Sequence, residues 1–138
     1  MQLTVNCDGG ARGNPGPAAS AFVVFDASGQ VMYQAGKYLG EGTNNQAEYE
    51  AVLLAINWLG QNYPQAEVEF RLDSQLVVNQ LKGSFKVKDP ELKIKYSEIK
   101  SLIENCKLKI VNFSYVPRDK NFLADNLVNQ TLDKNISA

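Results

Sequence analysis

A long capped helix set between two strand-like stretches constrains this chain more than any other feature. Thr43-Asn44-Asn45-Gln46 has the capping-box form, a hydroxyl followed three residues later by an amide, and an apolar-rich run continues from it to Gln61. Before it, Leu3, Val5 and Cys7 alternate with Gln2, Thr4, Asn6 and Asp8; after it, Val68, Phe70 and Leu72 alternate with Glu67, Glu69 and Arg71. Alternation of period two marks a half-buried strand. A strand, a long helix and a second strand in series dictate a right-handed parallel crossover. All-α and all-β architectures are excluded by that unit alone.

The other segments extend the unit to the order βββαβααβα. Residues 9–17, GGARGNPGP, read as a loop. Residues 19–25 and 30–39, joined by Asp26-Ala27-Ser28-Gly29, read as a β-hairpin. Asp73-Ser74 opens a helix to Leu81, and residues 83–90 form a basic connection. Residues 91–105 follow as a helix, 107–116 as a strand broken by Pro117, and 121–132 as the last helix. The expectation is one α/β domain over residues 1–138, a five-stranded mixed sheet of three antiparallel strands and two parallel additions, flanked by helices. A globule of this length buries roughly 70% of its unfolded-chain surface, so the core needs no staples. Cys7 and Cys106 lack metal-ligand spacing and read as buried or idle thiols rather than a disulfide or zinc framework. No apolar run approaches the roughly 20 residues that span a bilayer, and MQLTVNCDGG lacks a basic segment followed by an apolar one. A soluble, cytoplasmic protein with no membrane association is therefore expected.

The net charge of −1 conceals a division. Residues 1–81 carry three basic and eight acidic side chains, and residues 82–138 carry eleven and seven, so the halves stand at −5 and +4. Eight lysines, among them Lys82, Lys86 and Lys88, fall between residues 82 and 109. That stretch suits either a polyanion footprint or a solvated helix face.

Four acids stand out by position. Asp8 closes the first strand, Asp73 closes the strand expected to lie parallel beside it, and ligands of such sheets bind beyond the carboxyl ends of parallel strands. Gln46, Glu50, Asn57 and Gln61 form a solvent-facing stripe on the long helix, but Glu48 lies instead over Ala51, Val52, Ala55 and Leu59, the face that should pack on the sheet. A carboxylate there is costly without a partner. Asp125 falls in the first turn of the last helix. Singly, each has a structural reading: an Asx turn for Asp8, an N-cap for Asp73, and helix-dipole stabilisation for Glu48 and Asp125. Together, in a chain with no histidine, they form an all-oxygen set suited to Mg²⁺ or Mn²⁺, and paired ions of that kind serve in-line phosphoryl chemistry.

Asp8-Gly9-Gly10 with Gly13-Asn14-Pro15-Gly16, Thr43-Asn44-Asn45-Gln46-Ala47-Glu48, Leu72-Asp73-Ser74-Gln75 and residues 121–127 (NFLADNL) resemble, in order and spacing, the four signature blocks of type 1 ribonuclease H. The resemblance spans nearly the whole chain and implies the ribonuclease H-like fold. It implies an endonuclease that hydrolyses the RNA strand of an RNA–DNA hybrid, leaving 5′-phosphate and 3′-hydroxyl ends. Asp8, Glu48, Asp73 and Asp125 match the family's metal-binding carboxylates, which hold two Mg²⁺ ions with substrate, Mn²⁺ being a substitute. Asn14, Asn44 and Gln75 match positions that sense RNA sugars in the minor groove, Thr43 matches one that grips a phosphate of the DNA strand, and Asn45 in the same block is a further substrate-binding residue. The resemblance implies a monomer with the hybrid duplex as partner and no obligate protein partner.

Two departures bear on mechanism. The family's loop histidine before the last helix is absent, and Pro117-Arg118-Asp119-Lys120 stands in its place, which makes Arg118 the candidate for that role. The tryptophan-bearing basic protrusion is reduced to LKGSFKVKD. Two other functions compete. A silent hybrid or double-stranded RNA reader gains nothing from acids facing phosphates. A nucleotide-binding enzyme is suggested only by a glycine-rich loop that lacks GxGxxG and GxxxxGK[ST] and has no helix after it.

Overall fold

The computed structural model describes residues 1–105 and 107–136, so the Cys106 thiol lies outside the described residues. Strands β1 (Gln2–Ala11), β2 (Gly16–Phe25) and β3 (Val31–Gly42) come first, followed by helix α1 (Asn44–Asn62) and strand β4 (Glu67–Leu72). Helices α2 (Gln75–Leu81) and α3 (Pro90–Asn105), strand β5 (Lys109–Tyr115), a short 3-10 turn (Arg118–Asn121) and helix α4 (Phe122–Ile136) complete the chain. The sheet order is β3-β2-β1-β4-β5, with β1 antiparallel to β2 and parallel to β4, and β4 parallel to β5. The expected order of elements and the mixed five-stranded sheet are both present.

The two faces of the sheet are filled differently. Leu3, Val5, Cys7, Val68 and Phe70 meet Tyr49, Val52, Ile56 and Leu59 of α1 in the main core, which α2 and α3 close through Val77, Leu81, Leu92 and Ile99. On the other face Ala19 and Ala21 take Val128 and Leu132 of α4. Those residues are small because α4 lies close: a Cβ at Gly36 would stand 2.3 Å from Thr131 Oγ1.

Three local expectations are corrected. Gly9, Gly10 and Ala11 belong to β1 rather than to a loop, because they pair with Ser20, Ala19 and Ala18 of β2. The parallel pairing with β4 stops earlier, at Asn6 opposite Arg71, so Asp8 lies inside β1 but beyond the end of its parallel neighbour. The second concerns Asp73, which is no cap: the Ser74 side chain accepts from Val77 N and caps α2, leaving the Asp73 carboxylate to point elsewhere. Finally, only half of the polar stripe on α1 faces solvent. Gln46 and Glu50 are partly covered by α3, where Gln46 Nε2 donates to Glu91 and Lys95 Nζ approaches Glu50 Oε2 at 2.8 Å.

Candidate active site

The site begins with a capping box. Thr43 Oγ1 accepts from Gln46 N at 3.1 Å and Gln46 Oε1 accepts from Thr43 N at 3.0 Å, which fixes the direction in which α1 enters the fold. The first turns then press onto β1. A Cβ at Gly9 would stand 2.2 Å from the Ala47 carbonyl carbon and 2.4 Å from Glu48 N, and Ser20 Oγ donates to the same Ala47 carbonyl at 2.6 Å. Only glycine permits that approach, and it puts Glu48 beside Asp8. Asp73, the residue after β4, arrives from the parallel neighbour.

One carboxylate oxygen from each of Asp8, Glu48 and Asp73 lies within 4.8 Å of the other two. Asp8 and Glu48 are only 6% and 5% exposed, deep enough that their charges are barely hydrated. Burial raises the Asp8 carboxyl from its ordinary 3.8 to about 7, aided by the charges of Asp73 and Asp125 and opposed by its hydrogen bond with Glu48. Glu48 is pushed well above its ordinary range, first by burial, then by the Asp8 charge and by the hydrogen bond to Asp8. Asp73 is raised by burial, while the Asn121 amide and the Arg118 guanidinium draw it back. Glu48 Oε2 is buried with no hydrogen-bond partner among the described residues. An unpartnered buried carboxylate oxygen inside an all-oxygen cluster fits a hard divalent cation, which would relieve both the orphaned atom and the mutual repulsion.

The three acids open into a cleft of about 510 Å³ that Asp125 and Arg118 also line. Asp125 reaches it from the first turn of α4 without entering the group of three. Arg118 is exposed, at the start of the 3-10 turn. Asn44 and Asn45 line the cleft, but Asn14, Thr43 and Gln75 do not. Asn14 is tied to it indirectly: its Oδ1 accepts from Asn44 N at 3.0 Å, and Asn44 Oδ1 accepts from Ala11 N at 2.8 Å. Each amide thus commits its oxygen to the backbone and keeps its NH₂ as a donor. Gln75 is exposed at the start of α2.

Sequence reasoning missed Asn121 as a member of the site. Fully buried, it donates from Nδ2 to the Cys7 carbonyl at 2.9 Å and to Asp73 Oδ2 at 3.4 Å, pinning the turn that carries Arg118 to β1 and β4. Its only sequence signal is an asparagine at a turn-to-helix junction, a position capping chemistry already explains.

Residues 6–131 match the family described as Reverse transcriptase-like. Ribonuclease HI of Halobacterium salinarum is 38% identical over 126 residues, covering 91% of this chain and 62% of that protein. A bifunctional protein of Mycobacterium tuberculosis is 36% identical over 137 residues, covering 96% of this chain and 36% of that protein. The chain therefore spans about three fifths and about one third of these curated relatives. The crystal structure of LC11-RNase H1 in complex with an RNA/DNA hybrid superposes with a TM-score of 0.92 at 41% identity, covering 98% of this chain and 99% of that one.

Proposed function

Since this chain belongs to the type 1 ribonuclease H family, we propose that it is an endonuclease that hydrolyses the RNA strand of RNA–DNA hybrids. The single observation that carries the reading is the trio of Asp8, Glu48 and Asp73 oxygens within 4.8 Å, one of them buried and unpartnered. A site for neutral ligands would not gather three carboxylates in low dielectric without a cation to hold them.

In the proposed mechanism Asp8, Glu48, Asp73 and Asp125 hold two Mg²⁺ ions, with Mn²⁺ as substitute. When bound, such ions would supply charge that lowers the pKa of the attacking water and stabilises the leaving 3′-oxygen, consistent with 5′-phosphate and 3′-hydroxyl ends. Asp8, whose carboxylate lies with those of Glu48 and Asp73 within 4.8 Å, would be one of the residues that hold the ions. The Arg118 guanidinium offers hydrogen bonds to a non-bridging phosphate oxygen or to the departing 5′-phosphate.

Substrate choice is assigned to the amides. Asn14 and Asn44 present NH₂ donors, held by their own carbonyls, to the 2′-hydroxyls and base edges of a wide, shallow groove. Asn45 and Gln75 extend that line along the cleft and α2. Thr43 Oγ1 accepts from Gln46 N, which leaves its hydroxyl proton to donate to a phosphate of the DNA strand.

The deciding experiment incubates matched RNA–DNA hybrid, RNA duplex and DNA duplex with the protein and Mg²⁺ and resolves the products on a gel. Cutting confined to the RNA strand of the hybrid is expected. Equal cutting of the all-DNA duplex, or binding of hybrid with no cleavage, would overturn the reading.

A further inference from the structure

Arg12 lines the same cleft as Arg118. It lies just beyond β1, two residues before Asn14, and next to Ala11, whose N–H donates to Asn44. Its guanidinium reaches across to α4: Nη2 stands 2.7 Å from Asp133 Oδ1 and donates to the Asn129 carbonyl and side-chain oxygens at 3.4 and 3.5 Å. Asn129 in turn donates from Nδ2 to the Asp125 carbonyl at 3.1 Å, so the tether ends one helical turn from a cleft carboxylate.

Two features distinguish this arrangement from a simple brace. All three contacts fall on Nη2, and Nη1 and Nε carry none among the described residues, so most of the fork is unspent. The ion pair joins side chains 39% and 68% exposed, an arrangement that contributes little to stability and is readily exchanged for another anion. The cleft otherwise gathers four carboxylates, and a phosphodiester chain crossing it needs cations at its margins. Arg118 supplies one beside Asp73; Arg12 stands at the α4 margin, beside the amides assigned to RNA sugars.

We propose that Arg12 is a substrate-binding residue that contacts a phosphodiester of the RNA strand and is held ready for it by Asp133 and Asn129. This rests on the hybrid-cleaving reading above. Asp133 then acts as a placeholder: it keeps the guanidinium extended along the cleft until the phosphate takes over part of the fork.

The test compares steady-state kinetics of the wild type, Arg12→Ala, Arg12→Lys and Asp133→Asn on a fluorescein-labelled short hybrid at two KCl concentrations. Arg12→Ala is expected to raise KM several-fold with little change in kcat. It should also shrink the loss of kcat/KM between about 50 and about 200 mM salt by roughly threefold, the effect of one phosphate contact fewer. Arg12→Lys should restore most of the salt dependence, since a point charge suffices for a phosphate. Asp133→Asn should leave KM equal or lower, because a competing anion has gone. A brace predicts the opposite pairing: Arg12→Ala and Asp133→Asn would then impair the enzyme alike, with an unchanged salt slope, and that result overturns the assignment. A wild-type protein that cuts no hybrid would overturn the activity and this contact together. Wild-type cleavage with Arg12→Ala unaltered in KM and salt slope would overturn the contact alone.

Discussion

At the start of β1, Leu3 and Val5 pack with Val68, Phe70 and Leu59 in a cluster of buried apolar side chains. Three residues beyond Val5 the same strand carries Asp8, equally sequestered, facing Glu48 and Asp73. One strand therefore runs from a region where burial stabilises the fold to one where burial opposes it. The lower part of the sheet can hold an upper rim of crowded carboxylates only because it contributes stability in excess of what the rim removes. Function sits where the local terms are unfavourable, and a cation converts that repulsion into affinity.

That contrast can be broken at either end, and the largest effect should come from below. Phe70 is fully buried and stacks on Phe113 at a centroid distance of 5.3 Å. Phe70→Ala should cost about 3–5 kcal/mol of stability in chemical denaturation while leaving cleavage by the remaining folded protein close to normal. A large loss of kcat in fully folded Phe70→Ala would show that core and rim are not separable.

The next effect strikes the rim. Asp73→Asn keeps volume and removes one ligand charge, so cleavage should fall on the order of a hundredfold or more, about 3 kcal/mol, with an unchanged melting temperature or a higher one. Near wild-type activity with Mg²⁺ would remove Asp73 from the site. Arg118→Ala is expected to be milder, lowering kcat several-fold to a hundredfold with a modest change in KM, and Arg118→Lys should recover only part of it. Unchanged kinetics would assign Arg118 to the solvated surface.

The smallest effect is the most direct measure of the contrast. Asp8 is raised from 3.8 to about 7 in the folded chain, so the folded state binds its proton more tightly than the unfolded one. Stability from this group is therefore present below about pH 4 and lost as pH rises toward 7. Thermal melts in chelator should show Tm declining over that window, with Mg²⁺ reversing the decline near neutrality. Glu48→Gln, which puts a permanently neutral amide where a carboxyl must take up a proton on folding, should raise Tm at pH 7 by roughly 4 °C for each kcal/mol of that cost removed and flatten the dependence. A Glu48→Gln protein less stable than wild type at pH 7 in chelator would make Glu48 a structural residue.

Much of this was legible from residues alone because local chemistry specifies it. The alternation in β1 and β4, the Thr43 capping box and the placement of Glu48 on the packing face of α1 are consequences of period and capping that need no tertiary information. Taken alone, Asp73 also read as a cap, since Asp and Ser are equally able N-caps; Ser74 takes that role in the folded chain, and Asp73 lies in the cluster. On residues alone β1 ended at Asp8 because Gly9 and Gly10 are turn formers, whereas pairing with β2 carries the strand on to Ala11. The solvent-facing stripe on α1 was likewise correct for an isolated helix and incomplete once α3 docked against Gln46 and Glu50.

The sequence by itself thus determined the order of elements, the mixed sheet and the identity of the acids, because these follow from periodicities of two and 3.6 and from chemistry carried by single side chains. Tertiary structure alone decided which oxygens meet. The closeness of Asp8 to Glu48 depends on a missing Cβ at Gly9 against the Ala47 carbonyl, and that of Asp73 to both depends on where parallel pairing stops along β1. Asn121 and Arg12 are each held in the site by a contact spanning more than a hundred residues of sequence, to Cys7 and Asn129 respectively. Such distances are set by how elements dock, and no local propensity encodes them.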